Sequence, residues 1–194
     1  NRIHAILGAS EHCIATHPSD MCVALAALAA TVHVTGPEGE RAIPFAEFHR
    51  LPDNRPEIDT TLRHGEIVVA VELPAQGFAS HHTYLKLRDR LSYAFALVSV
   101  AVGLEMDGDR VGQARIALGG VAHKPWRDTA AEDGLRGQKA NAESFAALAD
   151  QILAPAVGYA HNAFKIGLAR RAIVRALSQA AAGTPQSQTD KRIR

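Results

Sequence analysis

The pattern of apolar and polar positions is sharpest between Tyr84 and Glu105, YLKLRDRLSYAFALVSVAVGLE. Leu85 and Leu87 fall on one side, and Tyr84, Lys86 and Arg88 on the other. That period of two predicts a half-buried strand. From Ala94 to Leu104 the chain is small, β-branched and uncharged, which predicts a second, fully buried strand. Asp89-Arg90-Leu91-Ser92-Tyr93 between them is polar and turn-like. Lys86 therefore lies mid-strand, beside a polar corner and against a buried strand. A cation in that place needs a partner, because burying it unpaired is costly. The pattern leaves open whether the partner is a side chain or a ligand.

The remaining elements follow by the same reasoning. His4 to Leu7 reads as a short strand and Gly8 to Pro18 as a loop. Ser19 or Asp20 reads as the N-cap of an Ala- and Leu-rich helix over Met21 to Leu28. Thr31 to Thr35 and Arg41 to Ile43 read as a hairpin about the turn Gly36-Pro37-Glu38-Gly39. Ile67 to Leu73 is a strand stopped by Pro74, and Ala75 to His82 a boundary between subdomains. Asp107-Gly108-Asp109 turns the buried strand into its return partner, Val111 to Leu118, which ends at Gly119-Gly120. A glycine pair at a strand end marks a bulge or a close approach. The rest reads as helical: Asp128 to Leu135, Ala142 to Leu153 and Ala163 to Ala182. The last of these is expected to face the core with Phe164, Leu168, Ile173, Val174 and Leu177, and solvent with Arg170, Arg171 and Arg175.

Composition narrows the class. With 47% hydrophobic and 21% charged residues the 194-residue chain can bury a real core. A net charge of +1 with both signs interspersed argues against nucleic acid as a partner. No apolar run is long enough to span a bilayer and no signal peptide is visible. Cys13 and Cys22 stand in neither a CxxC nor a zinc spacing. A reducing, cytoplasmic setting is expected, with periplasmic co-export beside a signal-bearing partner as the alternative.

Motif chemistry is sparse. There is no G-x-S-x-G, H-E-x-x-H, P-loop or dinucleotide fingerprint. His4, His12 and His17 could be read as metal ligands, but no i, i+4 pair on a clear helix supports them, and no metal site is expected. From pattern alone this is an α+β chain with a ligand groove between two subdomains. The groove would be lined by the Pro18 to Met21 corner, the Lys86 strand and Gly119-Gly120.

Three segments carry a resemblance: ATHPSDMCVALAALAATV (Ala15 to Val32), GEIVVAVELP (Gly65 to Pro74) and YLKLRDRLSYAFALVSVAVGLEMDG (Tyr84 to Gly108). Together they resemble the FAD-binding medium subunit of the molybdenum hydroxylases, the xanthine dehydrogenase, aldehyde oxidoreductase and carbon monoxide dehydrogenase family. The chain is most similar to the bacterial three-subunit aldehyde oxidoreductases. IALGGVAHKPWRDTAAEDGLRG (Ile116 to Gly137) looks like the start of that family's helical C-terminal half.

The resemblance implies the last part of a PCMH-type FAD-binding domain over residues 1–76. A CO-dehydrogenase-flavoprotein-type α+β domain, an antiparallel sheet with helices on one face, is expected over 77–183, and a polar tail over 184–194. The family's Gly-rich pyrophosphate loop is absent from these residues, so an N-terminally truncated chain is expected, with impaired FAD affinity if it stands alone. Some relatives also bind an iron–sulfur cluster upstream. The resemblance implies that FAD is held by Asp20, by the strand residues Ile67 and Val68, by Lys86 near the isoalloxazine and, on position alone, by Tyr93. An ammonium about 4 Å from a reduced flavin is worth roughly 4 kcal/mol before desolvation, at an effective dielectric near 20. Ala29 stands where relatives carry aspartate, which should alter a helix C-terminal contact. The implied role is electron transfer. Electrons would arrive from a molybdenum-binding large subunit through an iron–sulfur subunit and leave to a small-molecule acceptor. The competing expectation is a non-catalytic scaffold that keeps only partner contacts.

Overall fold

The computed structural model describes residues 1–75, 77–187 and 189. In chain order they form α1 (Asp20–Ala27), β1 (Thr31–Gly36), β2 (Gly39–Pro44), α2 (Phe45–Phe48), β3 (Ile67–Glu72), β4 (His82–Leu87), β5 (Val98–Asp107), β6 (Arg110–Gly119), α3 (Thr129–Leu135), α4 (Ala142–Leu153) and α5 (Phe164–Ala181). The strands make two antiparallel three-stranded sheets, in the orders β2-β1-β3 and β4-β5-β6. Among the described residues no helix is long and apolar enough to cross a membrane.

β5 is the centre of the molecule. Every residue from Val98 to Leu104 is buried, because both faces of the strand are covered. Val98, Val100, Val102 and Leu104 join α3, α4 and α5 in one core, together with Leu85, Ile116 and Leu118. Ala101, on the opposite face, joins Ala117, α1 and the first sheet in a second core. The three C-terminal helices thus share one face of the sheet β4-β5-β6, and α1 covers the other.

α1 starts where Ser19, in an extended conformation, accepts a hydrogen bond from the Cys22 amide at 3.2 Å. Ser19 is the cap, which leaves the Asp20 carboxylate for other work. The helix ends in a Schellman motif: the Ala29 amide donates to Ala26 O at 3.1 Å and the Ala30 amide to Leu25 O at 3.0 Å. The left-handed position in this motif is Ala29, at φ 53°. α5 ends in the same motif with Gly183, at φ 63°, in that place.

Several expectations need correction. Residues 4–7 are not a strand. Ala5, Ile6 and Leu7 are buried in irregular backbone whose amides are taken by Ile14 O and Val121 O, so their apolar side chains are buried without strand pairing. β5 begins at Val98 rather than at Ala94. The Leu97 amide still reaches Leu87 O at 2.8 Å, which leaves residues 88–97 as a loop, exposed over 89–93 and at Phe95 and anchored by buried Leu97. In α5 the buried seam is Lys165, Ala169, Ala172, Ile173, Ala176, Leu177 and Ala180. Alanines let this helix lie close to β5, and Phe164 is rotated outward under the Arg2 guanidinium, 5.2 Å from its ring centroid. Of the outward arginines, Arg170 pairs with Asp150 at 2.6 Å and Arg175 is half-buried. In the tail, the Gln186 amide donates to Thr83 Oγ1 at 2.9 Å, so this stretch lies along β4. Gln188 and residues 190–194 lie outside the described residues, as does Gln76 at the expected subdomain boundary.

Candidate functional site

A cleft of about 1080 Å³ opens where α1, β4 and the end of β6 converge. One wall is His17 to Asp20 with Val23; another is Lys86; Ser99, Gly119 and Gly120 form the floor. These are the three places where the sequence put the groove. The far side is the loop Asp89 to Leu97.

Lys86 has a side-chain partner. Its Nζ lies 2.6 Å from Asp20 Oδ2, while Tyr84 Oη donates to Asp20 Oδ1 at 2.9 Å. Tyr84 and Lys86 are two apart on one strand, so both point to the face that α1 covers. Asp20 is the first residue of α1, where the helix dipole favours a carboxylate. Burial pushes the Tyr84 pKa above its usual value and the nearby Asp20 charge pushes it further, against an opposing hydrogen bond with Ser99. Tyr84 therefore stays a phenol and a donor. One ammonium, one carboxylate and one phenol form a triad with no net charge at the mouth of the cleft.

The floor depends on absent side chains. A Cβ on Gly119 would lie 2.4 Å from Val23 Cγ2 and 2.3 Å from Ser99 Oγ. Gly120, at φ 71°, faces the Ala96 and Leu97 carbonyls, 2.8 and 2.9 Å from where its Cβ would stand. The pair thus marks a close approach of α1 on one side and of the 88–97 loop on the other. Behind this floor Lys165 is fully buried. Its ammonium donates to Ile3 O at 3.1 Å, His4 O at 2.7 Å and Gly120 O at 2.5 Å, and burial lowers its pKa to about 8. In the loop, Arg90 holds Tyr93 O through Nε, at 3.0 Å, and through Nη2. Tyr93 sits at φ 51° with 95% of its surface exposed, and Phe95 beside it is also exposed.

The structure brings Asp20, Lys86 and Tyr93 to one cleft. It does not bring Ile67 and Val68 there: both lie on β3, the edge strand of the first sheet, with exposed side chains. The three histidines read as possible ligands are not gathered either. His12 is exposed, His4 and His17 both line the cleft, and of the three only His17 lies with further donors, Cys22 and His49. Tyr84 and Ser99 escaped the sequence reading as site residues, although the alternation that placed Lys86 also placed Tyr84 on its face. Lys165 gave no signal, since a helix pattern assigns lysine to solvent.

Residues 9–76 match the FAD binding domain of molybdopterin dehydrogenases, and residues 82–180 match the CO dehydrogenase flavoprotein C-terminal domain. The chain belongs to the family of FAD-binding medium subunits of molybdenum hydroxylases. It is 47% identical to the aldehyde oxidoreductase FAD-binding subunit PaoB of Escherichia coli K12 over 94% of this chain and 54% of that protein. It is 29% identical to the carbon monoxide dehydrogenase medium chain of Afipia carboxidovorans over 84% of this chain and 57% of that one. Among solved structures, quinoline 2-oxidoreductase from Pseudomonas putida 86 superposes with a TM-score of 0.71 at 28% identity, covering 94% of this chain and 59% of that chain. The chain spans about half the length of the curated relatives it matches. The cleft suits one end of this family's cofactor. Val23, Leu97 and Phe95 offer apolar surface, and Lys86 and Asp20 offer charge, while the two glycines of the floor admit α1 and the 88–97 loop.

Proposed function

We propose that this medium-subunit chain supplies the ring-binding side of a FAD site in an aldehyde-type molybdenum hydroxylase. The subunit would take electrons from an iron–sulfur partner, fed by a molybdenum-binding large subunit, and pass them to a small-molecule acceptor. The observation that carries this reading is the Lys86 ammonium held 2.6 Å from Asp20 at the cleft wall. FAD, when bound, accepts two electrons and releases them singly or together. The chain's own residues prepare the place for the negative charge that follows. Lys86 presents a cation, Asp20 and Tyr84 fix its direction, and Ser99 anchors Tyr84 from below. Tyr93 and Phe95 on the exposed loop are positioned to cover a ring face and exclude water. Ile67 and Val68 would meet the cofactor only through the backbone of β3.

The test is Lys86→Met in the assembled complex, with flavin content and two-electron potential as readouts. The expected result is a lower potential and weaker flavin retention, with subunit assembly intact. Unchanged potential and flavin content would overturn the reading. So would a flavin-free complex with full activity, which would favour a scaffold role.

A further inference from the structure

Among the described residues one set of three side chains has its soft and nitrogen donor atoms close enough to share a metal ion. His17 lies in the loop before α1, Cys22 in the first turn of α1, and His49 directly after α2. One donor atom from each lies within 4.8 Å of the others. The two imidazole rings are tilted against each other, with centroids 4.4 Å apart. His49 is only 8% exposed, and its Nδ1 is buried without a hydrogen-bond partner. His17 Nε2 is likewise buried and without a partner. A buried polar nitrogen left unpaired costs about 1–3 kcal/mol, and here two such nitrogens belong to rings that stand 4.4 Å apart beside the Cys22 thiol.

The electrostatics keep both rings in the ligating form. Burial, reinforced by His17 and Lys124, lowers the His49 pKa to about 4. Burial and then His123 lower that of His17. Both shifts favour the neutral imidazole, the form whose lone pair can ligate a metal. Two nitrogens and one sulfur form a borderline-soft donor set, which suits Zn²⁺ in tetrahedral coordination with one position left over. With Zn–N of about 2.0–2.1 Å and Zn–S of about 2.3 Å, the donors need to close by about 1 Å. The opposing term is Lys124, whose Nζ donates to Ala46 O at 2.8 Å and to His49 O at 3.4 Å. Asp59, which accepts from His123 at 2.8 Å, supplies a nearby compensating charge.

We propose that His17, Cys22 and His49 bind one Zn²⁺ that clamps the first turn of α1 to α2, with solvent as the fourth ligand. On binding, the S–H bond of Cys22 breaks, a Zn–S bond forms and the proton leaves to solvent. Asp20 is two residues from Cys22, so the same clamp fixes the helix end that carries the cleft carboxylate.

The test uses the full chain, stripped with a chelator and titrated with Zn²⁺ or Co²⁺. One metal per chain and a thiolate-to-cobalt charge-transfer band are expected. Cys22→Ser and His49→Gln should each weaken binding by about 100-fold or more, while Cys13→Ser should leave it unchanged. Because His49→Gln removes a buried side chain, circular dichroism must show that the variant is folded. Independently, Zn²⁺ should protect Cys22 but not Cys13 from alkylation in the unmodified protein. Absence of the cobalt–thiolate band, undiminished binding in Cys22→Ser, loss of binding in Cys13→Ser, or equal alkylation of both cysteines with zinc present would each overturn the proposal.

Discussion

Replacing Glu132 by glutamine tests what joins α1 to the C-terminal sheet. The Arg127 guanidinium meets the Glu132 carboxylate through Nε, at 2.9 Å, and through Nη2, at 2.5 Å. The same carboxylate accepts the Ile116 amide at 2.9 Å, and Arg127 Nη1 reaches Ala26 O at the end of α1 at 3.1 Å. The side chains are 14% and 5% exposed, so water screens little of this pair. Glu132→Gln keeps the volume and one acceptor for Ile116 but leaves the guanidinium without its counter-charge. Breaking one side of a buried pair costs about 3–5 kcal/mol. Glutamine's remaining carbonyl puts this case at the lower end, about 3 kcal/mol. For a chain of this size that lowers Tm by about 6–12 °C. The assay is thermal and urea unfolding of the full chain, with Arg127→Met/Glu132→Gln as the control that removes both charges and keeps an acceptor for the Ile116 amide. The double variant should recover most of the loss, because its desolvation penalty disappears with the charges. The reasoning fails if Glu132→Gln costs less than about 1 kcal/mol, the value of an exposed pair. It also fails if the double variant is less stable than Glu132→Gln alone.

Ala29→Gly relieves an L-residue in the left-handed position of the α1 Schellman motif. It should raise stability by about 0.5–1 kcal/mol in urea titrations. The His49 pKa is depressed from 6.5 to about 4 in the folded chain, so between those values the unfolded state binds more protons. Stability should therefore rise with pH across that window and fall by about 3 kcal/mol from pH 6.5 to 4, a slope that His49→Phe should flatten in denaturation series. Lys165, lowered from 10.5 to about 8, gives the same sign in the alkaline window: stability should rise from pH 8 to 10.5, and Lys165→Met should abolish that rise. Lys165→Met should also speed amide hydrogen exchange around residues 3–7 and 119–121, because three carbonyls lose their shared donor.

Much of this architecture could be read from local pattern. The alternation at Tyr84 to Leu87 and the uncharged run that follows predicted β4 and β5, and Gly108 predicted the hairpin, because period and turn chemistry are local. The groove was legible for the same reason: its corners are a helix cap, a strand lysine and a glycine pair. What the pattern could not supply was the choice among packing solutions. The phase of α5 follows alanines that permit close approach to β5, not the larger Phe164. Lys165 is buried because three carbonyls from distant segments converge on it. His49 meets His17 and Cys22 only through the fold, since no spacing relates residue 49 to residues 17 and 22. The short segment 4–7 misled because burial in irregular backbone and burial in a strand look alike in one dimension.

The covering of β5 on both faces sets a rule for exchanging parts between relatives. The residues that match the first family domain end at Pro74-Ala75-Gln76 in sequence, but the packing boundary does not fall there. Ala101 and Ala117 of the second domain share a core with Val23, Ala26 and Val32 of the first, and Gly119 has no side chain because Val23 occupies that space. A chimera cut at the linker would bring together an α1 and a β6 selected against different neighbours. The exchangeable unit is therefore discontinuous: α1 must travel with β5 and β6, and the β1 and β2 residues that share its core must be matched to it.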